Sequence, residues 1–83
     1  MRFEVRFTDR ARTDFGTIPP EVRGRIARKL HQAARDPSRF FRKLAGVRAY
    51  RLRVGDYRVL ADLDAKTRTI HVLHIGHRRN VYE

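Results

Sequence analysis

The stretch Tyr50-Arg51-Leu52-Arg53-Val54-Gly55-Asp56-Tyr57-Arg58-Val59-Leu60 decides the fold. Two runs of strand-forming residues flank Gly55-Asp56. A glycine at the first central position suits a type II′ two-residue turn, whose twist matches antiparallel strands. Closing that turn sets the register. Val54 faces Tyr57, Arg53 faces Arg58, Leu52 faces Val59, Arg51 faces Leu60 and Tyr50 faces Ala61. Side chains alternate across a strand, so the hairpin has two unlike faces. One carries Tyr50, Leu52, Val54, Tyr57, Val59 and Ala61; the other carries Arg51, Arg53 and Arg58 beside Leu60. Like charges directly opposite one another destabilise a sheet. Three arginines kept in this arrangement point to an anionic partner.

Outward from the hairpin, residues 2–7 alternate Arg2, Glu4, Arg6 against Phe3, Val5, Phe7, the pattern of a half-buried strand. Thr8 or Asp9 reads as the N-cap of a short helix ending near Thr17, with Ala11, Phe15 and Ile18 inward. Pro19-Pro20-Glu21 opens a longer helix whose buried stripe is Val22, Ile26, Leu30 and Ala33. Asp36-Pro37-Ser38 stops it. Arg39 to Lys43 is an arginine-rich connector from which Phe40, Phe41 and Leu44 return to the core. After the hairpin, Asp64 to Arg68 turn the chain into Thr69-Ile70-His71-Val72-Leu73-His74-Ile75-Gly76. That run is apolar at odd and even positions alike, as in a central strand covered on both sides. The expected fold is α+β: an N-terminal strand, two helices, then an antiparallel three-stranded meander. The N-terminal strand pairs beside the last one, and the helices pack on one face of a four-stranded sheet.

Composition narrows the class. The 83 residues make a single domain, 1–83, with a small core. There is no cysteine, which excludes disulfides and thiolate metal sites and fits a reducing, cytoplasmic setting. No apolar run approaches the roughly 20 residues of a membrane span, and the charged N-terminus is no signal peptide. The net charge is +11, carried by 17 arginines against 3 lysines. Such an excess predicts a nucleic acid or an acidic protein as partner, and arginine favours bidentate phosphate contacts. The arginines and lysine of the long helix, Arg23, Arg25, Arg28, Lys29 and Arg35, read either as a solvated face or as an RNA-docking surface. Nine scattered carboxylates do not suggest a magnesium cage, and four histidines without a carboxylate pattern do not suggest zinc.

A second constellation is His74-Ile75-Gly76-His77-Arg78-Arg79-Asn80-Val81-Tyr82-Glu83. It leaves the last strand at Gly76 and delivers His77, Arg78 and Tyr82 where they can converge with Arg51, Arg53 and Arg58. The competing reading is a solvated basic terminus with Tyr82 packed for stability. His77 is the first candidate for moving protons, since imidazole titrates near neutrality; alternatively it faces solvent. His71 and His74 fall on opposite faces of the strand, where a hydrogen bond to a carbonyl accounts for each. His31 sits at the surface of the long helix. Asp62 and Asp64 follow the arginine face and offset its charge.

The order of elements, with Lys43-Leu44-Ala45-Gly46, Tyr50 through Leu60, and Ile75-Gly76-His77-Arg78-Arg79-Asn80-Val81-Tyr82, resembles the RelE branch of the RelE/ParE toxins over nearly the whole chain. The resemblance implies a RelE-like fold and a toxin of a type II toxin–antitoxin pair, neutralised by an acidic antitoxin that wraps around it. It implies ribosome-dependent, metal-independent cutting of mRNA in the A site, without a cofactor. The 2′-hydroxyl attacks the adjacent phosphate, leaving a 2′,3′-cyclic phosphate and a free 5′-hydroxyl. By the same resemblance Arg58 holds the scissile phosphate, Arg78 stabilises or protonates the leaving oxygen, and Tyr82 stacks on or orients the nucleotide. Arg51 and Arg53 fall where some members carry two lysines that assist the base. Arginine stays protonated, so here these positions stabilise charge and do not accept a proton. Arg79 joins the RNA-docking cations. Two other functions remain open on these residues: a ParE-like inhibitor of DNA gyrase, and a non-catalytic RNA-binding relative.

Overall fold

The computed structural model describes residues 2–77. Strand β1 (Glu4–Phe7) leads into helix α1 (Asp9–Gly16) and the longer helix α2 (Pro20–Ala33). A short helix α3 (Pro37–Phe40) and a two-residue strand β2 (Arg42–Lys43) precede the strands β3 (Tyr50–Val54), β4 (Tyr57–Asp64) and β5 (Thr69–His77). The sheet order is β1-β5-β4-β3-β2, with β1 parallel to β5 and every other pairing antiparallel. The α+β class and the β1–β5 neighbourhood match the sequence expectation. The sheet has five strands where four were expected, because the connector after α2 forms α3 and then adds β2 beside β3. A strand of two residues has no alternation to read, so nothing in the sequence announced it.

Each helix begins where its local chemistry places it. Thr8 caps α1, its Oγ1 accepting the Ala11 N–H at 3.1 Å. Pro20 starts α2, where the missing N–H costs nothing. Ala11 of α1 and Ile26, Leu30 and Ala33 of α2 pack against Leu52, Val59, Ile70 and Val72 of the sheet. Ile26, Leu52, Ile70, Val59 and Val72 are the largest fully buried side chains. Burying one such side chain is worth about 1.5–3 kcal/mol. Among the described residues no helix is long and apolar enough to cross a membrane.

The β3–β4 hairpin has the register set by its turn: Tyr50↔Ala61, Arg51↔Leu60, Leu52↔Val59, Arg53↔Arg58 and Val54↔Tyr57. Gly55 takes φ +58°, and Asp56 is not among the positive-φ residues, as a type II′ turn requires.

Strand β5 departs from the expected pattern. Leu60 pairs with His74 but Ala61 pairs with Val72, so Leu73 is an extra residue in a β-bulge. The bulge reverses the parity of the strand. Ile70 and Val72 face the core before it, and Ile75 after it. This explains apolar residues at both parities without the second covering layer that the sequence pattern suggested. Beyond Val72, which pairs with Phe7, β1 has ended. Helix α1 takes over that edge. The Thr8 N–H and Oγ1 donate to the Val72 and Leu73 carbonyls at 3.0 and 3.2 Å. Asp14 Oδ2 accepts the Ile75 N–H at 3.1 Å and lies 2.6 Å from His74 Nδ1.

Three outcomes follow from this packing. Gly55→Ala should lower stability by about 1–2 kcal/mol, because the φ is left-handed and a Cβ there would meet the Arg25 Nη2 at 3.0 Å; an unchanged denaturation midpoint would contradict the turn. Asp14→Ala strips acceptors from a half-buried backbone amide and an imidazole, and should cost about 1–3 kcal/mol by denaturant unfolding. The Thr67 and Lys66 backbone amides donate to Asp64 Oδ1, and the Thr67 bond is the main cause holding the Asp64 carboxyl below its ordinary pKa. A depressed folded pKa gives stability above the unfolded value that disappears as pH falls through the folded one. Wild type should therefore lose more stability than Asp64→Asn across that acidic window, and parallel acid limbs would refute the turn's role.

Candidate functional site

The hairpin register and the β2–β3 pairing bring four arginines onto one face of the sheet. Arg53 faces Arg58, and Arg51 faces Arg42. Arg58 is also directly opposite Gly76 of β5. The chain therefore enters its C-terminal segment beside Arg58, with a glycine that places no side chain over the guanidinium's neighbourhood. Arg58 and Arg51 are half-buried, whereas Arg53 and Arg42 are exposed. Arginines opposite one another suit an anion bound at that face, since each guanidinium is planar and donates in a fork that matches phosphate oxygens.

The cations of α2 separate into two groups. Arg25, Arg28 and Lys29 line a cleft of about 330 Å³ together with Arg53 and Gly55 of the hairpin. The Arg25 guanidinium rests against Gly55, which lacks the Cβ that would crowd it. Arg23 of α2, and Arg35 in the turn past its end, do not line that cleft. The long helix thus does more than present a solvated face: part of it adjoins the arginine-bearing strand.

His77 does not join the arginines. It pairs with Tyr57, and the two rings meet edge to face with centroids 5.4 Å apart. Tyr57 packs against the core with Val59, on the side of the sheet opposite Arg58. His77 instead lines a cavity of about 290 Å³ with Asp14, Thr17, Tyr57 and His74. The physical reason is the bulge at Leu73 together with strict alternation: Gly76 shares a row with Arg58, so His77 must point the other way. The structure also gives His74 a carboxylate partner, Asp14, where a carbonyl was expected. His71 pairs with Asp62 on β4 and Arg6 on β1. His31 is exposed, with Arg2 Nη2 3.4 Å from its Nε2. Asp64 serves its own turn, at the far end of β4 from Arg58. Among the described residues no three histidine, aspartate or glutamate side chains gather as a metal ion would need.

Arg78, Arg79 and Tyr82 lie outside the described residues. Arg42 is the member of the arginine face that sequence reasoning missed. The basic run Arg39 to Lys43 was visible, but its pairing with β3 was not.

This geometry can be set beside known proteins. Residues 5–82 match the family model described as the ParE toxin of the type II toxin–antitoxin system, parDE. Toxin RelG of Mycobacterium tuberculosis is 32% identical over 87 residues, spanning 99% of this chain and 98% of that protein. The toxin–antitoxin complex RelBE2 from Mycobacterium tuberculosis contains a chain that superposes with a TM-score of 0.88 at 28% identity, covering 94% of this chain and 100% of that one. The archaeal RelE–RelB complex from Pyrococcus horikoshii shares the fold, with a TM-score of 0.79 at 24% identity over 98% of this chain and 100% of its counterpart. With residues 5–82 matched by the family model and a relative of this identity and coverage, the chain belongs to the RelE/ParE superfamily of toxins of type II toxin–antitoxin systems.

Proposed function

We propose that this toxin is a ribosome-dependent endoribonuclease that cuts mRNA in the A site without a metal, and that a cognate acidic antitoxin wraps it to silence it. The observation that carries the reading is the face on which Arg53 opposes Arg58 and Gly76 opposes Arg58. A phosphodiester seated there meets two guanidiniums from one hairpin, at the point where the Gly76-His77-Arg78 segment begins. A relative of this chain is known from a toxin–antitoxin complex, which supports the antitoxin part of the reading.

The chemistry is a transesterification. The 2′-oxygen forms a bond to phosphorus as it loses its proton, the bond from phosphorus to the 5′-oxygen breaks, and that oxygen takes up a proton. The products are a 2′,3′-cyclic phosphate and a free 5′-hydroxyl. Arg58, with Arg51 and Arg53, stabilises the added negative charge on the phosphorane-like transition state. Arg78 assists the departing oxygen and Tyr82 orients the nucleotide. Arginine cannot serve as the base, and His77 points to the other side of the sheet. In this reading the 2′-hydroxyl proton leaves to solvent or to a group that the ribosome supplies. An enzyme of positioned charges alone depends on its substrate being held in attack geometry, which a translating ribosome provides. The cations of α2 and Arg79 hold the surrounding RNA by phosphate contacts that confer affinity and no sequence preference.

The ParE name of the family model favours the second reading opened by the sequence, a ParE-like chain that binds DNA gyrase and performs no chemistry. A shared fold does not decide between the two.

On programmed ribosomes, Arg58→Ala should lower single-turnover cleavage by about 100-fold or more, with the thermal midpoint nearly unchanged. Arg78→Ala should do the same. Arg58→Lys should fall between, since lysine keeps the charge and loses the fork. His77→Ala should cut at close to the wild-type rate. Full cleavage by both arginine-to-alanine variants would remove the nuclease reading. Inhibited supercoiling by purified gyrase with ribosome-bound mRNA left intact would install the second one.

A further inference from the structure

The geometry points to a binding track for single-stranded RNA along the outer edge of β3, between that edge, α2 and α3. Strand β2 covers β3 only at Tyr50 and Arg51, so from Leu52 onward its outer side borders the helices and no described strand. Two clefts lie along this border. The first, of about 330 Å³, is lined by Arg25, Arg28, Lys29 and Arg53. The second, of about 310 Å³, is lined by Lys29 and Arg53 again, together with Arg39, Arg42, Arg51 and Phe40. Because both share Lys29 and Arg53, they adjoin and form one groove. Among the described residues no carboxylate lines either cleft.

Three features identify the occupant. The first is charge of one sign along an elongated groove, which suits a chain of regularly spaced anions better than a single ion. The second is the choice of arginine for every groove cation but Lys29, which fits phosphate recognition. The third is Phe40. Its ring is half-buried, lines the second cleft, and has Lys29 Nζ 5.6 Å from its centroid. A ring face that accommodates a cation inside a basic groove can also take an unpaired base, and that combination characterises single-strand binding. An acidic polypeptide would use the charges but not the aromatic face. Duplex RNA would leave its bases out of Phe40's reach. The groove meets the arginine face at Arg53, directly across from Arg58, so a strand lying in it continues to the phosphate seat. The identity of the strand as mRNA rests on the nuclease reading; the groove itself does not.

The test uses the full chain and fluorescence anisotropy with a short labelled single-stranded RNA whose 2′-oxygens are methylated, so that it cannot be cut. The double variant Arg28→Gln/Arg42→Gln, neither residue belonging to the catalytic set, should lose about tenfold or more in affinity. Its log–log salt slope should shrink by about 1.4, near 0.7 for each phosphate no longer neutralised. Phe40→Leu, checked for a native circular-dichroism melt, should lose about fivefold or more. Arg12→Gln, an equal charge change on α1 away from the groove, should bind as wild type does. Losses per charge from Arg12→Gln equal to those of the double variant would overturn the track in favour of diffuse attraction. So would equal competition by polyglutamate or by duplex RNA, in favour of an acidic polypeptide or a shape reader. Groove variants that bind normally in a chain that cuts mRNA would remove the track and keep the nuclease. Groove-dependent binding in a chain that never cuts would do the reverse.

Discussion

Two pairs of arginines placed directly opposite one another on neighbouring strands are the constraint on which this molecule turns. Arg53 opposes Arg58, and Arg42 opposes Arg51. Each facing pair works against the sheet by a few tenths to about 1 kcal/mol. The reverse of the same strands buries Leu52 and Val59 almost completely, and each such side chain returns about 1.5–3 kcal/mol. Burial on one face thus outweighs repulsion on the other, and the hairpin can hold its charges in a fixed array.

The array stays in place because the turn and the far edge of the sheet are both secured. Gly55 sets the register at one end. At the other, Thr8 and Asp14 of the α1 region satisfy the carbonyls and amide of β5 where β1 no longer reaches. Without such partners those backbone groups would be left unpaired at a partly buried edge, which proteins seldom tolerate. The bulge at Leu73 sits between these anchors. It rotates the last part of β5 so that Ile75 enters the core and Gly76 comes level with Arg58.

That rotation governs what the arginine face can do. It brings a residue without a side chain beside Arg58 and sends His77 to pack on Tyr57 behind the sheet. His77 is therefore separated from Arg58 by the sheet itself. The facing arginines occupy one side, and the His77 imidazole packs on Tyr57 on the other. The arginine side thus offers fixed charge in a set position, in keeping with a chain whose cations are almost entirely arginine.

The sequence by itself determined the hairpin, its register and the face that carries Arg51, Arg53 and Arg58, because a two-residue glycine turn leaves one way to pair the flanking residues. It determined α1 and α2 through a threonine cap, proline and apolar spacing, and the placement of β1 beside β5. Tertiary structure alone decided three things. A two-residue strand at Arg42–Lys43 has no periodicity of its own and exists because β3 offers it an edge. The bulge at Leu73 leaves an apolar run that reads like a doubly covered strand, and only pairing with β4 and the Thr8 hydrogen bonds reveals the parity change. The approach of Arg25, Arg28 and Lys29 to Arg53 depends on how α2 lies across the sheet, a packing angle that no local spacing encodes. Local rules reach as far as hydrogen bonds and turns between near neighbours; the meeting of distant segments is settled by which buried surfaces fit.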